Sequence, residues 1–493
     1  MAVNEEAVQN LVDNLKERLE TIESYIAKNT TQATWAEPCK LTMEKCLSRL
    51  SQLLPAGEGK PLAIDQMEKI SRCCGLRFDC DGGSGGMQSC YISCDNFFLE
   101  VEMTAENLVS EVKLGHGKEP RAHPLLRQLL MTGRYATFMR HLRGLVAIYD
   151  LPGPKEDRLS MYAALCAVEE DLLAVSNTRK VEGDLPHVIM EHPLGLVQRR
   201  ECGKLMSTTF FISPENALDL KSDIAAERHG VCGHVGIATT LGSHSLPSRP
   251  VHRVEEGSSN VTFVPLDSSN TLNVPCTFMF HLSKSVAAPS SVTHSILEMT
   301  DMKDSVLTPS GTLHNVLFNE VFKGSAAGQI KPKDSTHRHD VAVPSGVFAF
   351  FVRPLKKDSG AEETAVELQD INFTHPKQLL RVIQVLRQQL AYNSLIQSCF
   401  ASSPVSQQYS TIQIIDVEGD GISVIRITLE HPLSRNLACI LLQIAPGGVA
   451  SAELHLVEGD SRPCCNAVIT KIVASCMSIP ALVHSVRKRC SAQ

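Results

Sequence analysis

Several stretches of this chain carry residue types that do chemistry in other settings. Gly82-Gly-Ser84-Gly-Gly86 matches G-x-S-x-G, the turn that presents a serine nucleophile in α/β hydrolases. Such a turn needs a helix directly after the serine. Here CYISCDNFFLEV follows and alternates like a strand, so the run reads as a flexible Gly/Ser turn. Cys73-Cys74, Cys80, Cys90 and Cys94 cluster, and Cys464-Cys465 form a second pair, yet none makes the C-x-x-C spacing that zinc needs. Cys90 and Cys94 read as small apolar residues of one strand. His337-Arg-His339-Asp340 has metal-ligand types in a polar run after Lys-Pro-Lys-Asp-Ser-Thr, and reads as a solvated loop. Histidines 123, 192, 375 and 431 each precede a proline and mark turns. No phosphate-cradling glycine loop is present. Two L-x-x-L-L words remain, Leu50-Ser-Gln-Leu53-Leu54 and Leu126-Arg-Gln-Leu129-Leu130. On a helix their leucines share a face, which fits either a partner's groove or the chain's own core. Core packing is the simpler reading of both. Leu126, Leu129 and Leu130 are the one candidate partner-binding set; no catalytic, cofactor-binding or metal residue is assigned.

The elements around these motifs are organised by the stretch 373–399. Leu379, Ile383, Leu386 and Leu390 recur at helical spacing, widened by Leu380, Val382, Leu395 and Ile396. Thr374 or His375 closes its start, with Pro376 in the first turn. Its charges are all basic: Lys377, Arg381 and Arg387. No acid, thiol or histidine interrupts the apolar stripe, so the helix reads as built for packing.

Before it, Val8, Val12, Leu15, Leu19, Ile22 and Ile26 form a short heptad seam on a helix over 5–28. Further helices are expected at 38–54, 62–74, 122–132, 134–149 and 155–175. One strand is expected over 88–103, with a hairpin partner at 108–114. From 185 the texture turns to short strands: 194–197, 208–212, 231–239, 261–264, 277–282 and 347–352. The stretches 241–260 and 307–340 read as loops. After the long helix come strands at 411–417, 422–429 and 437–444, a helix at 465–478 and a last segment after Pro480. The expected fold is α+β in three parts. Residues 1–176 form a mostly helical domain with a small β element. Residues 185–370 form a β-rich domain with long loops, and 373–493 an α+β domain, its mixed or antiparallel sheets packed on the helix at 373–399.

Bulk properties narrow the function. The 493 residues are 43% hydrophobic and 20% charged, ordinary for a globular protein. Aromatics are 5%, with Trp35 the single tryptophan, so stacking platforms for single-stranded nucleic acid are not expected. The net charge of −7 offers no field for DNA or anionic membrane. Arg487-Lys488-Arg489 reads as a solvated helix end. The acidic, amphipathic start is unlike a secretory signal, and no apolar run spans a bilayer. The seventeen cysteines are therefore expected as reduced thiols in a cytosolic or nuclear protein, and the N-x-T sequons carry no glycosylation meaning.

Longer words carry a resemblance. They are Cys90-Tyr-Ile-Ser with Phe98-Leu-Glu-Val101, and Leu142-Arg-Gly-Leu-Val with Tyr149-Asp-Leu-Pro-Gly153. Met161-Tyr-Ala-Ala-Leu165, Glu170-Asp-Leu172, Gly203-Lys-Leu-Met206 and Phe211-Ile-Ser-Pro214 follow. The most specific are His375-Pro376 with Gln389-Leu-Ala-Tyr-Asn-Ser-Leu-Ile396, Ser398-Cys399, and Cys476-Met-Ser-Ile-Pro480. Together they resemble the folded N-terminal region of the Mediator complex subunit 1 family, thyroid-receptor-associated coactivator subunits. The resemblance runs from about residue 40 to 489 and thins between 225 and 370. It implies a non-enzymatic nuclear protein without cofactor. Its partners would be other subunits of Mediator's middle module and transcription activators, nuclear receptors among them, with RNA polymerase II reached indirectly. No direct nucleic-acid or membrane contact is implied. In the animal family the receptor-binding L-x-x-L-L boxes lie in a long disordered tail beyond the folded region, so the receptor role does not carry onto 126–130 by resemblance. Two other readings stand beside it: a direct nuclear-receptor coactivator using Leu126, Leu129 and Leu130, and an α/β hydrolase using Ser84. The first needs those leucines exposed; the second needs Ser84 beside a histidine and an acid.

Overall fold

A computed structural model of the chain describes residues 62–490, apart from 83–87, 105–107, 116–119, 150, 152, 179–180, 182, 221, 255–260, 304–307, 324–337, 345, 357–361, 401–411, 432–433 and 457–464. The expected helices at 5–28 and 38–54, the first L-x-x-L-L word, Ser84 and His337 all lie outside the described residues. The chain divides into two compact units. One holds the described residues up to 151 together with 202–204; the other holds 153–201 and 205 onward.

Alternation builds the first unit. Its elements are α1 (Leu62–Cys73), β1 (Arg77–Gly82), β2 (Gln88–Ser93), β3 (Phe98–Met103), β4 (Val109–Gly115), β5 (Arg121–Ala122), α2 (Pro124–Met131) and α3 (Tyr135–Tyr149). The strands form one antiparallel meander in sequence order. Every second residue of the central strands turns inward: Cys90 and Ile92, then Leu99, Val101 and Met103, then Val112 and Leu114, all buried. Ile64, Met67 and Ile70 of α1 and Phe138, Leu142, Leu145 and Ile148 of α3 are buried at helical spacing. Burying each such side chain contributes about 1.5–3 kcal/mol. Gly75, at φ +71°, ends α1 in the left-handed region that a side chain resists. The single strand expected over 88–103 is two. Asp95-Asn96 are turn formers, and the Cys94 N–H closes the reversal on the Phe97 carbonyl at 3.0 Å.

The second unit opens with α4 (Lys155–Thr178), α5 (Leu185–Glu191), β6 (Leu196–Gln198), β7 (Met206–Phe211), α6 (Pro214–Ala217) and α7 (Asp223–His229). Next come β8 (Val231–Pro247), β9 (His252–Val254), β10 (Val261–Phe263), β11 (Thr271–Pro289), α8 (Ser290–Thr300), β12 (Gly311–Thr312) and α9 (Leu313–Val321). Then follow β13 (Arg338–Val343), β14 (Gly346–Val352), β15 (Thr364–Phe373) and α10 (Pro376–Gln397). The unit closes with β16 (Ile412–Asp420), β17 (Val424–Glu430), β18 (Leu437–Ala445), β19 (Gly448–His455), α11 (Asn466–Cys476) and α12 (Ile479–Cys490). One six-stranded sheet has the order β12-β15-β11-β8-β7-β6 and a second the order β13-β14-β16-β17-β18-β19. The short ribbon of β9 and β10 stands apart from both. Among the described strands only β14 and β16 pair in parallel, and their crossover carries β15 and α10. Helix α10 touches β7 and β11 of one sheet and β18 and β19 of the other. The α+β class, with sheets packed on this long helix, is the observed one. Helix α4 groups with this second unit rather than with the helices before it.

Two expected loops hold regular structure. In 241–260, β8 continues to Pro247 because β11 supplies a ladder to it, and β9 follows. Those β8 residues are largely exposed and polar, so they show no apolar alternation. In 307–340 lie β12, α9 and the start of β13. Helix α8 and strands β15 and β19 were not expected from the sequence either.

Candidate functional site

Helix α10 collects the buried polar groups that tie the second unit together. Proline at 376 fixes the first turn, and the residue before it is driven to extended backbone, the geometry an N-cap requires. His375 sits there at φ −139°, ψ 136°. Its Nδ1 accepts the Lys377 N–H at 3.2 Å, and its Nε2–H donates to the Val264 carbonyl at 3.2 Å. Gln378 Oε1 reaches back to the N–H groups of Thr374 at 2.9 Å and His375 at 3.0 Å, completing a capping box. Burial lowers the His375 pKa, against the pull of the Val264 carbonyl. The imidazole is held neutral, as an accepting Nδ1 demands.

Arg387 lies mid-helix and is 3% exposed. Its Nε donates to the Phe210 carbonyl at 2.7 Å, and its Nη2 to the carbonyls of Ile189 and His192, also at 2.7 Å. The last two end α5, where carbonyls lack helical partners and the helix dipole is negative. Burial pulls the guanidinium pKa down to about 10, opposed by the Glu191 charge, so it remains a cation at neutral pH. Further along, Gln389 Nε2 donates to Asn393 Oδ1 at 2.7 Å and Asn393 Nδ2 to the Ala287 carbonyl of β11 at 2.8 Å. Gln388 Nε2 reaches the Ile444 carbonyl of β18 at 2.8 Å, and Gln397 Nε2 reaches Glu320 of α9 at 2.8 Å. Ser398 Oγ accepts the Ile479 N–H that opens α12 at 3.0 Å. The reading of this helix as purely apolar packing is corrected here. Its stripe is apolar, but its polar letters, the Ser398 cap included, bond six other elements. A single arginine beside Leu386 in an otherwise buried stretch was the available signal.

A buried acid works alike. Asp171 of α4 is fully buried; its Oδ1 accepts the N–H groups of Val251 and His252 at 2.8 and 2.9 Å and His252 Nδ1 at 2.8 Å. Burial raises its pKa, opposed by those donors. Glu169, 3.0 Å from Arg200, has a pKa raised by burial to about 7 against the arginine's pull.

The four histidines before proline share one device. Nδ1 of His123 accepts the Leu126 N–H at 3.5 Å, and Nδ1 of His192 the Leu194 N–H at 3.2 Å. Nδ1 of His431 accepts the Ser434 N–H at 3.2 Å, matching the Lys377 bond of His375. Each imidazole thus acts as a local cap, as the turn reading expected.

The other candidates are dispersed. Leu126, Leu129 and Leu130 of α2 are 0%, 3% and 3% exposed, and α2 packs on β4 and α3. In this arrangement they are core residues, and a partner would reach them only after α2 unpacks. His339 and Asp340 lie on β13 rather than in a loop. His339 stacks against Phe400 with ring centroids 4.6 Å apart, and Asp340 pairs with Arg338 at 2.9 Å. Among the described residues no three His, Cys, Asp or Glu side chains gather as a metal site. The expectation of reduced thiols is corrected at one pair. The β1–β2 register sets Cys80 opposite Cys90, and the two form a disulfide. Cys94 lies outside β2, in the turn, and Cys465 is the residue before α11.

What the described residues define is an α+β protein whose buried polar side chains tie its elements together. The chain belongs to the family of Mediator of RNA polymerase II transcription subunit 1, whose model matches residues 44–235 and 238–401. It is similar to the Xenopus laevis protein of that description, 25% identical over 508 residues, covering 95% of this chain and 32% of that protein. The Drosophila melanogaster counterpart is 25% identical over 472 residues, covering 91% of this chain and 30% of its own length. A Dictyostelium discoideum protein described as putative subunit 1 is 35% identical over 79 residues. The chain thus spans about a third of the length of its animal relatives.

Proposed function

We propose that this chain is a non-enzymatic scaffold subunit of the Mediator complex, acting in the nucleus. Its partners are other Mediator subunits of the middle module. Through them it relays signals from DNA-bound activators, nuclear receptors included, to RNA polymerase II, without touching nucleic acid or membrane itself and without a cofactor.

One observation carries the reading. Residues within the words that carry the family resemblance become joints of the fold. His375 caps α10, Gln389 and Asn393 bond each other, and Asp171 holds the segment at 251–252. Such joints hold the surface rigid, and a rigid surface is what a partner subunit reads. The direct-coactivator reading through Leu126, Leu129 and Leu130 has no such support, since α2 keeps them buried.

The test is affinity purification of the tagged full chain from nuclear extract, with mass spectrometry. Co-purification of Mediator subunits is the expected result. Recovery of none by a chain that is folded in solution would overturn the proposal. A parallel deletion of residues 1–35 assigns the docking seam: loss of subunits puts it on the heptad stretch, and retention puts it on the folded body.

A further inference from the structure

The first unit distributes its charges unevenly. Its outer sheet surface is acidic. Glu100, Glu102 and Glu111 surround the ammonium of Lys113, the Glu111 contact at 3.4 Å and the Glu100 contact at 3.9 Å. The stretch that follows these strands is the reverse, although α1 beside it carries Asp65 and Glu68. From residue 121 to 149, through β5, α2 and α3, the chain has five arginines and no acid, in a protein of net charge −7.

The arginines are displayed. Leu126, Leu129 and Leu130 turn one side of α2 into the core, which leaves Arg127, Gln128 and Met131 exposed on the other. Phe138, Leu142, Leu145 and Ile148 do the same for α3 and leave Ala136, Arg140, Arg143 and Ala147 outside. Arg121 on β5 is exposed too. Arg121, Arg127 and Arg140 form no ion pair with any described residue. The Arg143 guanidinium lies close enough to the Cys74 thiol to oppose the rise that burial gives its pKa. On the same exposed side of α2 as Arg127, Met131 is 56% exposed, a flexible apolar side chain.

We infer that the outer surface of α2 and α3 is a docking site for an acidic peptide segment of another protein, one whose carboxylates alternate with apolar side chains. Charge complementarity selects the partner: guanidinium forks bind carboxylates two-pronged, and Met131 takes the apolar residue between them. The strip suits a short segment, since α3 has 15 residues and a length of about 22 Å, matched by an extended peptide of about seven residues. Nucleic acid fits less well. The strip has no exposed aromatic ring, and its few cations fall short of the roughly 6–10 phosphate contacts of a duplex binder. The inference goes beyond the assembly role and does not depend on it.

Fluorescence anisotropy of the full chain tests it. The probe is a labelled peptide of about ten residues, alternating Glu with Leu and Phe. Arg127→Glu/Arg140→Glu lies on exposed positions, and circular dichroism checks that the fold is kept. This pair is expected to lower affinity about tenfold or more. Met131→Ser is expected to lower it by a few fold at unchanged charge. The control Arg253→Glu/Lys471→Glu, with the same change in net charge on the second unit, is expected to leave binding within about twofold, as a screened remote charge should. Equal binding by the Arg127/Arg140 pair overturns the inference, and so does an equal loss in the control. A single-stranded DNA of matched charge that binds more tightly than the peptide overturns it as well.

Discussion

Arg387 shows how much one side chain can hold. Replacing it with methionine keeps the apolar stem but removes the side-chain donor from the buried carbonyls of Phe210 and Ile189, each loss costing about 1–3 kcal/mol, and leaves the His192 carbonyl with the Gly195 N–H alone. Arg387→Met is therefore expected to lower unfolding free energy by about 3–5 kcal/mol. Arg387→Lys should fall between, because an ammonium lacks the fork that spans Phe210 and α5. Denaturant midpoints measure both. His375 adds a pH dependence. Its folded pKa lies below the ordinary 6.5, so the unfolded chain takes up the proton more readily. The stability it contributes is fully present above about pH 6.5 and is lost as pH falls through the lower folded value. Asparagine also caps helices and does not titrate. His375→Asn should flatten the decline in urea midpoint between neutral and mildly acidic pH; an unchanged slope would remove His375 as its source.

At the scale of elements, β19 shows how an edge is closed. Its outward backbone is met by side chains of α11: Thr470 Oγ1 accepts the Ala452 N–H at 2.9 Å, and Asn466 Oδ1 the Leu454 N–H at 3.2 Å. An open edge would invite another strand. Thr470→Val with Asn466→Ala should cost about 1 kcal/mol per lost bond and speed exchange of the Ala452 and Leu454 amides selectively. Neither bond could be read from the sequence. What was legible there was periodicity: α3, α4, α10 and β14 stand within a few residues of their expected places because buried positions recur at 3.6 or 2. Where partners rather than pattern decide, the reading failed. The outer half of β8 is mostly polar and exposed, and it is a strand only because β11 lies beside it. Arg387 and Asp171 look in sequence like any solvated charges; their carbonyl and amide partners lie 80 to 198 residues away. The histidines before proline were readable because cap and capped group are two or three residues apart.

Across the whole molecule, two compact units predict two separable responses to damage. In the first unit, Gly144 and Gly203 meet so closely that a Cβ on Gly144 would lie 1.9 Å from the Gly203 carbonyl oxygen. Gly144→Ala must push α3 off that segment and should loosen β2–β4, while α10 keeps its hydrogen-exchange protection. Arg387→Met should do the reverse. A common loss of protection in both units, from either variant, would mean that the units are not separate cores.

The bonds of Arg387 also set an order in time. Its partners at His192 and Ile189 precede it by 195 and 198 residues. A ribosome adding about 5–20 residues per second takes about 10–40 s to cover that distance. For that interval the end of α5 has left the ribosome without its cation, and the sheet strands from β6 to β15 exist without the helix that spans them. The nascent second unit is open to chaperones, and to wrong strand partners, until α10 is made.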